Sequence, residues 1–126
     1  MSAQEARELV LETLYEAEAR EIEPEQEFLT ARAGRMVSGI MEHRAEIDET
    51  IARIAHGWRL ERMPAVDRNI LRIGVYELSF TDVPVGVAVS EAIDLAKRFS
   101  TEKSGAFVNG VLGKLADEVA ASRDDG

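Results

Sequence analysis

Apolar side chains recur at intervals of three and four residues along most of this chain, which is the spacing of an amphipathic α-helix. The first such stripe predicts a helix over about residues 3–20. Ser2 stands where an N-cap residue accepts a backbone N–H, and Glu5 follows at the spacing of a capping box. The members of this stripe are Ala6, Leu9, Val10, Thr13, Leu14 and Ala17.

Two shorter stripes predict a second and a third helix after a polar turn around Pro24. The second helix should end near His43, and Gly57 stands where a glycine favours the end of the third. The second stripe consists of Phe28, Met36, Val37, Ile40 and Met41, and the third of Ile47, Ile51, Ile54 and Ala55.

The segment that follows Pro64 predicts a central helix, because AVDRNILRIGVYELSF is apolar on nearly all of its faces. Proline is tolerated in the first turn of a helix, where its missing N–H costs nothing. The next segment, VPVGVAV, would by itself fit a strand. Apolar positions continue at helical spacing from Val89 to Phe99, however, so we predict a fifth helix.

The last helix is predicted to begin near Ser104, with Thr101 or Ser104 as its N-cap, and to give way to a frayed acidic tail over residues 122–126. No internal repeat or long linker interrupts the pattern. We therefore predict an all-α fold in one domain over residues 1–126. The buried stripe of the last helix consists of Val108, Val111, Leu112, Leu115 and Val119.

Composition limits the classes of protein that fit. The 126 residues include 15 Lys and Arg against 24 Asp and Glu, a formal charge of −9, and no cysteine. Disulfides, zinc–thiolate sites and iron–sulfur clusters are thereby excluded, and we expect a cytoplasmic protein. No apolar run approaches the roughly 18 residues of a membrane span and the start lacks a signal sequence, so we expect no membrane association.

The negative charge is unevenly distributed. Residues 1–30 carry a net charge of −7, whereas residues 53–72 and residues 97–114 each carry a net charge of +3. Each segment alone is explained by a solvated helix surface. Because an acidic chain repels nucleic acid on average, a nucleic-acid partner requires a locally basic surface.

Motifs typical of enzymes are missing from the sequence. It contains no glycine-rich phosphate loop, no nucleophile elbow and no HExxH zinc motif. His43 and His56 lie 13 residues apart, which is not a ligand-like spacing. We therefore predict that the protein is not an enzyme and holds no metal or cofactor.

The last helix carries one aromatic residue away from its buried stripe. At about 100° per residue, Phe107 lies a quarter turn from the stripe and shares a face with Gly110 and Lys114, and Lys103 extends this face or lies outside the cap. A ring between two ammonium groups can stack on a single-stranded base and neutralise phosphate. Alternatively, Phe107 packs against a neighbouring helix and the lysines only cover apolar surface. Composition alone favours this alternative.

Four segments of the sequence resemble the family of the transcription antitermination factor NusB. They cover nearly the whole chain and are much more specific together than singly. The segments are ARELVLETLYE at residues 6–16, WRLERMPAVDRNILRIGVYEL at residues 58–78, DVPVGVAVSEAIDLAKRFS at residues 82–100 and FVNGVL at residues 107–112.

The resemblance implies a helical protein of about six to seven helices in two three-helix subdomains, without enzymatic activity. It further implies that the chain pairs with the ribosomal protein NusE, that the pair binds boxA RNA, and that it acts with the RNA polymerase antitermination complex. The resemblance leaves open whether the chain also forms a homodimer. By position, Arg7, Lys103 and Phe107 would contact RNA, and the shared face adds Lys114. By position, Tyr15, Glu61 and Asp67 would contact NusE.

The sequence departs from the family pattern at its start, where only Arg7 remains of an arginine-rich arm. This departure motivates an alternative function, a protein–protein adaptor or homo-oligomer with weakened RNA binding. A third alternative is a fragment of a ribosomal RNA cytosine methyltransferase, which carries a similar domain. We rank it last, because no cofactor-binding domain follows Gly126.

Overall fold

The computed structural model describes the backbone of residues 1–125 and the side chains of residues 1–123, and it contains no strand within that range. The prediction of an all-α fold is therefore confirmed. The elements are α1 (Ala3–Arg20), α2 (Ala31–Glu42), α3 (Arg44–Ile54), a short 3-10 helix (Leu60–Arg62), α4 (Ala65–Phe80), α5 (Val85–Phe99) and α6 (Glu102–Asp125).

Side-chain caps define the starts of the first two helices. Ser2 Oγ accepts the N–H of Glu5 at 3.1 Å, as the sequence predicts for α1. Thr30 Oγ1 accepts the N–H of Ala33 at 3.2 Å and begins α2. Phe28, which the pattern assigned to the second helix, lies before this cap and is 87% exposed. That assignment was wrong, because the Thr30 cap outweighs the apolar spacing.

Helix α4 is the central helix, as predicted. It contacts each of the other five α-helices, and ten of its 16 residues are buried. The buried apolar side chains form one continuous core that runs from Ala6 in α1 to Ala116 in α6. Helices α1–α3 therefore share a single core with helices α4–α6, and α4 connects the two sets.

Helices α5 and α6 decide the alternatives that the sequence left open for the last third of the chain. Helix α5 begins at Val85, so VPVGVAV is not a strand. Thr101 Oγ1 accepts the N–H of Ser104 at 3.1 Å, which identifies Thr101 as the cap of α6. Helix α6 continues to Asp125, beyond the start of the predicted tail at residue 122, and residue 126 lies outside the described residues. None of the described helices is long and apolar enough to cross a membrane.

Candidate nucleic-acid interface

A tight turn after α3 positions the only tryptophan of the chain. The N–H of Trp58 donates to the carbonyl of Ala55 at 2.8 Å, and Gly57 takes a φ of +85° within this turn. Glycine adopts this left-handed backbone without steric cost. Gly57 lies beyond the end of α3 and shapes the turn, so its contribution is to place Trp58 at the surface, where its side chain is 60% exposed.

Helix α6 brings Phe107 against this tryptophan. The two ring centroids lie 5.4 Å apart at an interplanar angle of 66°, an edge-to-face contact. Phe107 is half-buried and packs against the rim of the core, so it is neither free in solvent nor sealed inside. Both interpretations of this residue therefore hold in part: the ring packs on a neighbour and still offers surface.

The two rings form walls of a cavity of about 400 Å³ that is open to solvent, here called the Trp58–Phe107 cavity. Met63 and Pro64 add apolar surface, and Asp67 from the first turn of α4 also lines it. A volume of this size lies in the range of ordinary ligand pockets. An aromatic and apolar cavity with one carboxylate can therefore hold a flat ring that carries a hydrogen-bond donor.

A hydrogen-bond network holds the Asp67 carboxylate between α4 and α6. Ser104 Oγ donates to Asp67 Oδ2 at 2.9 Å. Because a hydroxyl has only one proton, the Ser100 and Thr101 hydroxyls must in turn donate to Ser104, at 2.8 and 3.1 Å. The other carboxylate oxygen, Asp67 Oδ1, is buried and has no hydrogen-bond partner among the described residues.

Two lysines of α6 lie on this face. Lys103 lines the Trp58–Phe107 cavity, is exposed and makes no ion pair within the described part of the chain. Lys114 is also exposed, and its Nζ donates to the carbonyl of Ile54 at the end of α3, at 3.3 Å. A second, shallower cavity between Phe107 and Lys114 shares both aromatic rings with the first. The face predicted from helical spacing therefore exists as a continuous surface.

Ion pairs neutralise much of the positive charge predicted for residues 53–72. Arg53 makes a two-pronged contact with Glu118, at 2.8 and 3.0 Å, and these hydrogen bonds raise the pKa of Arg53 and lower the pKa of Glu118. Buried and half-buried pairs join α4 to α1 and α3, namely Arg68 with Glu18 and Arg72 with Glu18 and Asp48. Arg68 and Arg72 thereby connect helices, and the pairing of all three arginines leaves little net charge for a binding surface.

Arg7 is not part of the exposed face. It is only 4% exposed, and its guanidinium makes two parallel hydrogen bonds to Glu77 of α4, at 2.7 and 3.0 Å. A third nitrogen donates to Gln4 at 3.2 Å. The assignment of Arg7 to an RNA surface is corrected accordingly, because its donors are occupied inside the protein.

The three residues predicted to bind a protein partner lie apart. Tyr15 lines a groove of about 370 Å³ with Glu8, Glu12 and Phe99, here called the Tyr15 groove. Glu61 is exposed beside Trp58, outside this groove. Asp67 is only 4% exposed and lines the Trp58–Phe107 cavity rather than the Tyr15 groove, and Ser104 holds its carboxylate, so it is not a freely exposed partner residue as the sequence had suggested.

Sequence reasoning missed two aromatic residues of these surfaces. Trp58 directly follows the turn glycine, and its exposure could have been suspected from that position. Phe99 served only as the last apolar position of the fifth helix in the sequence pattern, but it is nearly half exposed and lines the Tyr15 groove. Its position as the last residue of α5, after Lys97 and Arg98, was the available signal.

Comparison with known proteins yields one family. A sequence model of the NusB family matches residues 4–117. The transcription antitermination protein NusB of Anaeromyxobacter sp. (strain Fw109-5) is 45% identical over 124 aligned residues, which cover 88% of this chain and 87% of the relative. A solved structure of T. maritima NusB has a TM-score of 0.82 and 37% identity, over 94% of this chain and 92% of that chain.

A crystal structure of the antitermination factors NusB and NusE in complex with dsRNA is also similar. Its matching chain has a TM-score of 0.78 and 30% identity, and the match covers 91% of the present chain and 96% of that chain.

Proposed function

This chain belongs to the NusB family, and on that premise we propose that it is a transcription antitermination protein that binds boxA-type single-stranded RNA together with NusE. Relatives carry the name of a transcription antitermination protein, and one similar structure contains NusB, NusE and dsRNA. Action in ribosomal RNA operons, as part of an RNA polymerase antitermination complex, belongs to the same proposal.

The observation that carries the RNA-binding role is the half-buried Phe107 beside exposed Lys103. The ring packs edge-to-face on Trp58 and, being half-buried, still offers surface on which a base can stack. Lys103 and Lys114 lie on either side and can neutralise phosphates. Aromatic stacking with phosphate neutralisation is the usual way in which proteins hold single-stranded RNA.

The Tyr15 groove is the surface that we assign to NusE. Its apolar floor includes Leu11 and Val66, and Glu8 and Glu12 line it. Glu8 is paired with Arg98, so Glu12 contributes most of the negative charge, and a partner that presents apolar side chains and a basic one would complement the groove in shape and charge. Because this groove and the Trp58–Phe107 cavity have no lining residue in common, protein and RNA could bind together.

Two phenylalanine variants separate these surfaces. Phe107→Ala should weaken RNA binding by the NusE complex about tenfold, because stacking contributes about 1–3 kcal/mol per base, and should leave the NusE complex intact. The matched variant, Phe99→Ala, should weaken NusE binding. It should leave the RNA affinity of the chain in the absence of NusE unchanged. Calorimetric titration with NusE and RNA titration with and without NusE, at two salt concentrations, measure both effects.

The adaptor alternative makes a different prediction for the same experiment. It is favoured by the burial of Arg7, which leaves α1 without a free cation near its start. Under this alternative, RNA binding by the complex would equal that of NusE alone, and Phe107→Ala would change nothing. Such a result would refute the RNA-binding role and leave the protein-binding role.

A further inference from the structure

The unpaired carboxylate oxygen of Asp67 indicates a ligand with a hydrogen-bond donor. A buried polar atom without a partner is destabilising and is uncommon in folded proteins. Asp67 Oδ2 is satisfied by Ser104, but Oδ1 has no partner among the described residues, and this side chain lines the Trp58–Phe107 cavity. A group that enters the cavity and donates an N–H to Oδ1 would remove this cost.

The walls of the cavity limit the shape and charge of that ligand. Two aromatic rings and Met63 favour a flat, unsaturated group, and Lys103 favours a ligand that carries negative charge beside it. A cationic side chain of a protein partner would satisfy Asp67, but Lys103 would repel it. A nucleotide meets all three requirements, since its base stacks, its edge donates and its phosphate meets Lys103.

Guanine fits a carboxylate best among the four RNA bases. Its Watson–Crick edge presents two adjacent donors, N1–H and the N2 amino group, which can converge on Oδ1 with the O6 carbonyl turned away, while Oδ2 keeps its bond from Ser104. Uracil presents a single N3–H between two carbonyl oxygens, which the carboxylate would repel. Adenine and cytosine each present one amino group beside an acceptor nitrogen. Acceptance of base N–H groups by aspartate is an established kind of readout.

We propose that the Trp58–Phe107 cavity is a guanine-selective pocket in which Asp67 accepts the Watson–Crick edge of one unpaired base. This inference rests on the proposed function and adds sequence selectivity to it. Because Oδ1 is buried in the free protein, a base can reach it only when a wall of the cavity moves. We assign this movement to Trp58, because this residue lines the cavity, is largely exposed and follows a glycine turn.

The test uses labelled RNA hexamers UUUNUU, in which N is G, A, C or U, titrated by fluorescence anisotropy into the complex with NusE. We expect the G hexamer to bind about tenfold more tightly than the U hexamer. Asp67→Asn should abolish this difference without weakening the U hexamer. The matched control is Asp82→Asn, which removes the same charge from an exposed position just beyond the far end of α4.

Stability measurements distinguish a binding role of Asp67 from a structural one. Because Oδ1 is unpaired, Asp67→Asn should leave the midpoint of thermal unfolding unchanged or raise it. A lowered midpoint would indicate a structural carboxylate and overturn the proposal. Trp58→Leu, at a largely exposed position, provides a second variant that should fold and also lose the preference for guanine.

The remaining outcomes of these titrations lead to different conclusions. Equal binding of all four hexamers, or a guanine preference that survives Asp67→Asn, would overturn the guanine pocket and leave RNA binding in place. Weaker NusE binding by Asp67→Asn, with base preference unchanged, would overturn it in favour of a side chain from the protein partner. Failure of every hexamer to bind the complex would overturn the guanine pocket, and failure of boxA RNA as well would refute the proposed function itself.

Discussion

At the scale of single residues, the buried ion pair between Arg7 and Glu77 joins α1 to α4. Arg7 lies beside the apolar stripe of α1, at a position where a charged side chain is usually exposed. Its partner Glu77, however, is 70 residues away in α4. Only packing of α1 on α4 makes their charges meet. The pair is buried, so each charge depends on the other for compensation.

Removal of one partner should therefore be costly. Arg7→Ala should lower the free energy of unfolding by about 3–5 kcal/mol, because it leaves Glu77 buried and unpaired. The exposed pair of Arg20 and Glu16 provides the control, since Arg20→Ala should cost less than about 1 kcal/mol. Urea unfolding of both variants measures the difference, and losses of equal size would contradict the buried pair.

The residues of the candidate site differ in how far the sequence predicts them. The side of α6 occupied by Phe107 and Lys103 follows from helical geometry alone, because both lie on one helix. The pairing of Phe107 with Trp58 requires the turn at Gly57 and the packing of α3 near α6. The burial of Asp67 requires its contact with Ser104, 37 residues away. Contacts between distant segments leave no periodic signal.

At the scale of elements, the contact between α4 and α6 depends on one glycine. A Cβ added at Gly74 would lie 2.5 Å from Leu112 Cδ1, and Leu112 is fully buried. Gly113 of α6 has open space around its own Cα, with no such contact within 4 Å. Gly74 therefore allows the close packing of α4 on α6, whereas no steric requirement calls for a glycine at position 113.

Substitution of these glycines by alanine should have opposite effects. Gly74→Ala should destabilise the protein by about 1 kcal/mol or more, because overpacking outweighs the gain in helix propensity. Gly113→Ala should stabilise it by about 0.5–1 kcal/mol, because only the propensity changes. Thermal unfolding of both variants tests the sign, and stabilisation by Gly74→Ala would refute the close approach.

Helix positions were largely predictable from apolar spacing, and helix ends were less so. The pattern gave α1 its observed bounds and identified α4 as central. It placed Phe28 in a helix because the spacing fitted, although the Thr30 cap begins α2 after it. It ended α6 early because the last residues are polar, although a helix can continue through a solvated polar stretch.

At the scale of the whole molecule, a net charge of −9 coexists with a small cationic face. If Lys103 and Lys114 supply the phosphate contacts, the logarithm of the RNA association constant should fall with the logarithm of salt concentration with a slope of about −1.4. Lys103→Gln should reduce this slope by about 0.7. Arg35→Gln removes the same charge from an exposed position of α2 and serves as control. Equal changes in both variants would mean that only total charge matters.

Helix α4 reaches all five other α-helices, and this arrangement also governs how the protein can open. No set of three helices can separate without exposing the shared core, so partial opening should be confined to the chain ends and connections. Backbone amides of α4 beyond its first turn should consequently exchange with deuterated water only when the entire protein unfolds, and they should be the slowest to do so. Asp67 lies in the first turn of α4, so the Trp58–Phe107 cavity is anchored to the most persistent helix of the molecule.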